Sequence, residues 1–405
     1  MNKDFPTRIL FAEAEAIVRD VAAAHRLSVE RVPSMRAAGR VLAEDIDAPI
    51  ALPSFDNSAM DGYALRAADA FESNASLRLV GEQFAGHILD LSIGSGECTR
   101  ITTGAPMPAG ADAVVMKENT RIDGEQIVLA AAVARDAHVR RAGEDVAVGD
   151  LLLRVGTRLT PVQASLAAAV GHAELPVARR PTVAVFTTGD ELCPPGQPLD
   201  PGMIYDSNRV LLMNLLVAEG LEPFAWPILP DDPDRMRALL RDAGNAFDVV
   251  ITCGGVSAGE KDHLPGLLGE LGGIHFWKVL MRPGMPLLFG TIGQARVLAL
   301  PGNPVSVLAT FLTVGRQLLR GLQGDGSPLP KIAARLSMPI AKAHERREFQ
   351  RGRLDFCADG TVRVAPHPAT ASHRLRGAAD SDCLIVLPEG PQQLPVGSLV
   401  EVLRY

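Results

Sequence analysis

Three short apolar runs, Thr182–Phe186, Asp248–Thr252 and Arg296–Leu300, set the tightest limit on how this chain folds. Each is continuous and rich in β-branched residues rather than alternating in polarity. That pattern belongs to strands buried on both faces, which occur where helices cover a parallel sheet. Stretches with helical spacing of apolar residues, Arg209–Glu219 and Asp234–Asp242, lie between the runs. An α/β domain with a mostly parallel sheet is therefore expected at the centre of the chain. It is not the whole molecule, because 405 residues exceed one ordinary core and predict roughly two to four domains.

The flanking segments read differently. Phe11 to Ala24 places Ile17, Val18 and Val21 at helical spacing among Ala, Glu and Arg, as a structural amphipathic helix does. From Ile50 to Val146 short runs such as SLRLVGEQF, ECTRITTGA, DAVVMKENT and EQIVLAA alternate with Gly, Pro, Asp and Asn turns, which predicts a mostly-β module. A helix is expected to open at Thr160-Pro161, with Thr as cap and Pro in the first turn. After Lys331 short strands return and run to the end, so a small β domain closes the chain. The expected division is 1–49 with 147–178 as a discontinuous N-terminal domain, 50–146 as the inserted β module, 179–328 as the α/β domain and 329–405 as the C-terminal β domain.

Composition narrows the partners. A formal net charge of −7 repels a phosphate backbone, and the pairs Arg140-Arg141, Arg179-Arg180 and Arg346-Arg347 are short and scattered, so nucleic acid is not expected. The cysteines, Cys98, Cys193, Cys253, Cys357 and Cys383, are odd in number and form no C-x-x-C pair, which argues against a disulfide framework or a zinc knuckle. The opening MNKDFPTRIL lacks the apolar core of a secretory signal, and no apolar run reaches the ~18 residues that span a bilayer. A cytoplasmic protein without membrane partners is expected.

In an open α/β sheet, ligands collect beyond the carboxyl ends of the strands. Three such loops are loaded here: Thr187-Thr188-Gly189-Asp190-Glu191, Cys253-Gly254-Gly255-Val256-Ser257 continuing through Ala258-Gly259-Glu260-Lys261-Asp262, and Pro301-Gly302-Asn303-Pro304-Val305-Ser306. Glycines admit a phosphate or pterin close to the backbone, and the carboxylates suit a hard cation. In the third loop Asn303 is placed to cap and Pro304 to open a helix whose N–H groups would face an anion. Asp231-Asp232 before Pro233 reads either as a strand-end site or as a helix cap. Asp61-Gly62 reads most simply as a hairpin turn.

Two other readings fit less well. Gly255-Val256-Ser257-Ala258-Gly259 matches a G-x-S-x-G nucleophile elbow, but Gly259 and Pro265 interrupt the helix that should follow the serine, and neither His263 nor His275 is suitably placed. A dinucleotide fold is not indicated, since no G-x-G-x-x-G opens a helix with an acidic residue some 20 positions on.

Taken together, Asn57-Ser58-Ala59-Met60-Asp61-Gly62-Tyr63-Ala64, Thr103-Gly104-Ala105-Pro106, Gly143-Glu144-Asp145, Thr188-Gly189-Asp190-Glu191-Leu192, Tyr205-Asp206-Ser207-Asn208, the Gly254 to Asp262 loop and Pro301 to Ser306 resemble the molybdopterin molybdenumtransferase family, the MoeA-type proteins that include the C-terminal enzyme domain of gephyrin. The resemblance spans nearly the whole chain. It implies a homodimer of four-domain subunits whose β module faces the α/β domain of the other copy. It also implies cleavage of adenylylated molybdopterin with Mg²⁺, release of AMP and insertion of molybdate into the dithiolene. The molybdopterin adenylyltransferase and cofactor-accepting enzymes are the protein partners that would follow.

Carried onto this chain, the family's acidic catalytic positions are Asp61, Asp145, Glu191, Asp231 and Asp262, with Glu191, Asp231 and Asp262 as the metal ligands. Substrate would meet Thr103, Gly254, Gly255, Ser257, Lys278, Arg282, Pro301, Asn303, Pro304, Arg351 and Ser372. A metal held by carboxylates can neutralise pyrophosphate oxygens, and Lys278, Arg351 and Ser372 are suitable types for a molybdate dianion. The chain departs from the family in two places. Met281-Arg282-Pro283-Gly284-Met285-Pro286 stands where many members carry K-P-G-K-P, and Ala371-Ser372-His373-Arg374 where Gly-Ser-His is common. If the second lysine chiefly binds the anion, this chain should need more molybdate than its relatives, and Met285→Lys should correct that. The competing readings are the adenylyltransferase step, since a resembling α/β domain serves there, and a non-catalytic scaffold of the same family.

Overall fold

The computed structural model describes residues 5–86, 89–257 and 262–405. Residues 258–261 of the second loaded loop, including Gly259 of the serine motif, lie outside the described residues. Two compact units form: the N-terminal segment up to Glu30 together with Val177–Tyr405, and Arg31–Pro176.

The first unit is built on a seven-stranded sheet in the order Thr7–Ile9, Gly272–Val279, Leu288–Ile292, Ala295–Leu300, Val249–Cys253, Val183–Thr187, Phe224–Ala225. All neighbours are parallel except Leu288–Ile292, which is antiparallel on both sides. The three apolar runs supply its strands Val183–Thr187, Val249–Cys253 and Ala295–Leu300, each buried along its whole length. Alternate residues serve opposite faces. Val183, Val185, Ile251 and Leu298 join one core, while Ala184, Phe186, Val250 and Val297 join the other. Each large side chain removed from water contributes about 1.5–3 kcal/mol before conformational entropy is subtracted.

Thr7–Ile9 pairs with Trp277 and Val279, and the Phe11–Ala24 helix buries Phe11, Ala14, Val18 and Ala22 in the α/β core. Residues up to Glu30 pack in one compact unit with the α/β sheet. The reason is visible in the helix itself, whose apolar stripe is complementary to a sheet face that would otherwise be wet.

The C-terminal strands form a second sheet within the same unit, ordered Met281–Arg282, Arg347–Phe356, Val362–Pro366, Ile332–Leu336, Leu399–Arg404, Cys383–Leu387. Cys383–Leu387 pairs back onto Arg347–Phe356, which closes five strands into a small barrel and removes their free edges.

The Arg31–Pro176 unit carries a six-stranded sheet, Ala113–Met116, Gly62–Leu65, Glu97–Ile101, Ser76–Gln83, Gln126–Leu129, Thr120–Asp123. The expected helix is Pro161–Ala169, and Thr160 caps it by accepting from Gln163 N–H. Among the described residues no helix is long and apolar enough to cross a membrane.

Candidate active site

Register places the three loaded loops side by side. Thr187 is opposite Cys253, and Cys253 is opposite Leu300, so the loops leave the sheet from one line. Close packing then ties them together. Gly254 N–H donates to Leu300 O at 3.0 Å, and the Cys253 thiol donates to Pro301 O at 3.4 Å. Gly254 has φ +95°, and a Cβ there would sit 2.4 Å from Thr188 Oγ1, so only glycine fits. Burial, with Asp206 nearby, pushes the Cys253 thiol well above its ordinary range, so it remains a thiol and not a nucleophile.

Asp206 and Asn208 hold this arrangement from behind. Asp206 is buried, caps the Ser207–Ala218 helix through Arg209 N–H, accepts from Thr187 Oγ1 at 2.6 Å and pairs with the Arg209 side chain at 3.0 Å. Asn208 Nδ2 donates to Gly302 O at 2.7 Å. The motif Tyr205-Asp206-Ser207-Asn208 thus clamps the first loop to the third. These two residues were absent from the expected site, although a polar pair opening a helical run was the signal for them.

The acidic side of the cleft is open. Asp190 and Glu191 are exposed, and Asp190 Oδ1 accepts from Asp231 N–H at 3.2 Å, which brings the Asp231 backbone beside the first loop. Asp232 is the helix cap, accepting from Asp234 and Arg235 N–H at the start of Pro233–Ala246. The helix-cap reading of the Asp-Asp pair therefore holds for Asp232. Glu191, Asp231 and Asp262 are not gathered into a ready-made cage, because no group of three or more His, Cys, Asp or Glu among the described residues is placed to hold a metal. Their oxygen donors still suit Mg²⁺, which takes one or two carboxylates and completes its shell with water and substrate phosphates.

The cationic side is formed by Lys278 and the turn that follows it. Lys278 sits in the left-handed region at φ +70°, its N–H donates to Leu287 O at 2.8 Å, and its ammonium lies 4.4 Å from the Trp277 ring centroid. Trp277 in turn donates from Nε1 to Val256 O at 3.0 Å, joining this strand end to the second loop. Arg282 reaches Glu348 at 3.8 Å. Met285 does not stand in an uncharged gap, since Arg346 Nη1 lies 3.9 Å from its sulfur.

Two expected anion contacts are corrected. Asn303 occupies the cap position of Pro304–Thr310 but makes no capping bond; its Nδ2 donates to Ser372 Oγ at 3.0 Å. The helix does not present free first-turn donors either, because Val305 N–H is taken by Ser372 O at 3.1 Å. Arg351 is 2% exposed and directs its guanidinium to the carbonyls of Arg374, Ala369 and Ala371. It holds the segment bearing Ser372 and is not open to an anion. Ser257 is exposed beyond the Val249–Cys253 strand, and the next described helix is Leu264–Leu271.

In the other unit, Asp61 Oδ1 accepts from Thr103 N–H at 2.9 Å and Thr103 Oγ1 at 3.0 Å. These bonds, backbone first, hold its carboxyl below the usual range. The hairpin-turn reading of Asp61-Gly62 fails: Gly62 is the first residue of the Gly62–Leu65 strand, and a Cβ on it would meet Val115 O at 1.8 Å. Asp145 is exposed, and its N–H donates to Leu52 O at 3.1 Å.

Comparison with known proteins shows the family of the chain. Residues 9–171 match the MoeA N-terminal region (domain I and II), 184–321 the "Probable molybdopterin binding domain", and 333–405 the MoeA C-terminal region (domain IV). The molybdopterin molybdenumtransferase of Haemophilus influenzae is 38% identical over 90% of this chain and 91% of its own length. The chain belongs to the molybdopterin molybdenumtransferase family. Molybdopterin molybdenumtransferase 2 of Mycobacterium tuberculosis is also 38% identical, over 92% of this chain and 94% of its own. A solved structure of the molybdopterin biosynthesis MoeA protein of Pyrococcus horikoshii superposes with a TM-score of 0.80 at 32% identity, covering 96% of this chain and 98% of that one. The family resemblance and the multidomain α/β plus β architecture read from the sequence are thereby established.

Proposed function

We propose that this chain is a molybdopterin molybdenumtransferase that inserts molybdate into adenylylated molybdopterin and releases AMP, a step of molybdenum cofactor biosynthesis. The observation that carries the reading is the register of three strand-end loops at one sheet edge, where Asp190 and Glu191 leave one strand and Lys278 ends another that runs the same way. Gly254 packs so closely on Thr188 that no side chain fits there, which keeps the loop backbone bare where the proposed site would take a pterin phosphate. Glu191, Asp231 and Asp262 would hold Mg²⁺ together with the substrate's pyrophosphate, and when bound the ion supplies charge neutralisation on the phosphate oxygens. Thr188, Asp206 and Asn208 keep the loops in place, while Lys278 attracts the molybdate dianion and Arg282, paired with Glu348, holds the turn that follows it.

The same reading assigns Asp61, Thr103 and Asp145 to the site as residues given by a second copy of the chain in a homodimer, in the cytoplasm. It keeps the division of the remaining chain at 50–146, 179–328 and 329–405. The adenylyltransferase alternative is less well supported, because relatives that match more than 90% of this chain carry the transferase name. Supplying unadenylylated molybdopterin with ATP separates the two: the proposal expects no adenylylation, and efficient adenylylation would overturn it.

A further inference from the structure

Arg346 lies between the Ile340–Lys342 and Arg347–Phe356 strands, is half-buried, and forms no ion pair among the described residues. Its nearest polar neighbour in the turn after Lys278 is the Met285 thioether at 3.9 Å, a weak acceptor that carries no charge. The turn emerges at the sheet edge that holds the candidate site, because Gly272–Val279 runs in the same direction as Ala295–Leu300, both being antiparallel to Leu288–Ile292. Gly284, at φ +111°, seats it on the helix that begins at Pro304; a Cβ there would lie 2.5 Å from Thr310 Cγ2. Nearby cations are otherwise engaged, since Lys342 Nζ donates to Pro388 O and Gly390 O and Arg282 reaches Glu348.

A half-buried guanidinium that no carboxylate of the described residues pairs keeps its donors available to an anion. A lysine at position 285 would place a second cation near Arg346, whereas Met285 brings no charge there. We propose that Arg346 binds the oxyanion substrate beside Lys278, supplying from the barrel the charge that position 285 does not carry. The inference rests on the molybdenum-transfer reading and names its specificity residue. The planar fork can donate to two oxygens of a tetrahedral oxyanion at once, which an ammonium does only as a point charge.

The test is the molybdate concentration giving half-maximal AMP release for wild type, Arg346→Gln, Met285→Lys and the double variant. Arg346→Gln should raise it about tenfold, the size of one charge-assisted contact, while half-saturation by the adenylylated pterin stays within about twofold. Met285→Lys alone should bring no improvement, and the double variant should return toward wild type. Arg346→Lys, which keeps the charge without the fork, should raise it a few-fold and serves if the glutamine variant does not fold. An unchanged molybdate requirement in both Arg346 variants, or an equal rise for the pterin, would overturn the assignment. Absence of molybdate-dependent AMP release in the wild type would remove the underlying reading as well, and is distinguishable because it shows without any substitution.

Discussion

Asp61 and Gly62 are neighbours whose roles separate on physical grounds. Gly62 is required by Val115 O across the strand pair, and Asp61 is held by Thr103. The dipeptide looked like a turn because Asp-Gly favours turns locally, but strand pairing outweighed local preference. Asp248 shows the same competition in electrostatics. Burial disfavours its charge, yet the Arg179 fork at 2.8 Å and the N–H and hydroxyl of Thr182 hold its carboxyl below the ordinary range. A depressed pKa contributes stability above the unfolded carboxyl value near 4 and loses it as pH falls through the folded value. Asp248→Asn should therefore lower stability by about 2 kcal/mol at neutral pH, and urea midpoints of variant and wild type should converge below about pH 4. A gap that does not change with pH would show that the pair's charge is not what stabilises.

At the scale of elements, the central strands and the helix from Phe11 were legible because hydrophobic periodicity reports burial directly. The site was legible only in part. Glycine-rich strand-end loops mark where backbone comes close, so Gly254 and the third loop could be read from order alone. Which donors are already spent could not: Arg351 is consumed by three carbonyls, and Val305 N–H by Ser372. Both facts depend on the segment bearing Ser372, 69 residues downstream of Asn303, folding back onto the third loop. The Asp231-Asp232 pair tests this division of labour. Asp232→Ala removes a cap and should cost about 1 kcal/mol of stability with turnover nearly kept. Asp231→Asn should leave the melting temperature in place and cut turnover. The reverse pattern would exchange their roles.

At the scale of the molecule, family membership covers both compact units and makes them parts of one enzyme. Asp61 and Glu191 lie in different units, and in the proposed homodimer the site is completed by two copies. Mixing Asp61→Ala chains with Glu191→Ala chains should then restore part of the activity that each lacks alone, since one site of a mixed dimer escapes both substitutions. No recovery in a mixture shown to exchange subunits would argue that each chain works by itself. The central claim is tested most directly by following AMP release from adenylylated molybdopterin with molybdate and Mg²⁺ varied independently. The account predicts release that needs both and stops in excess chelator, with Glu191→Gln folded but slow; full release without molybdate and with the metal removed would contradict it.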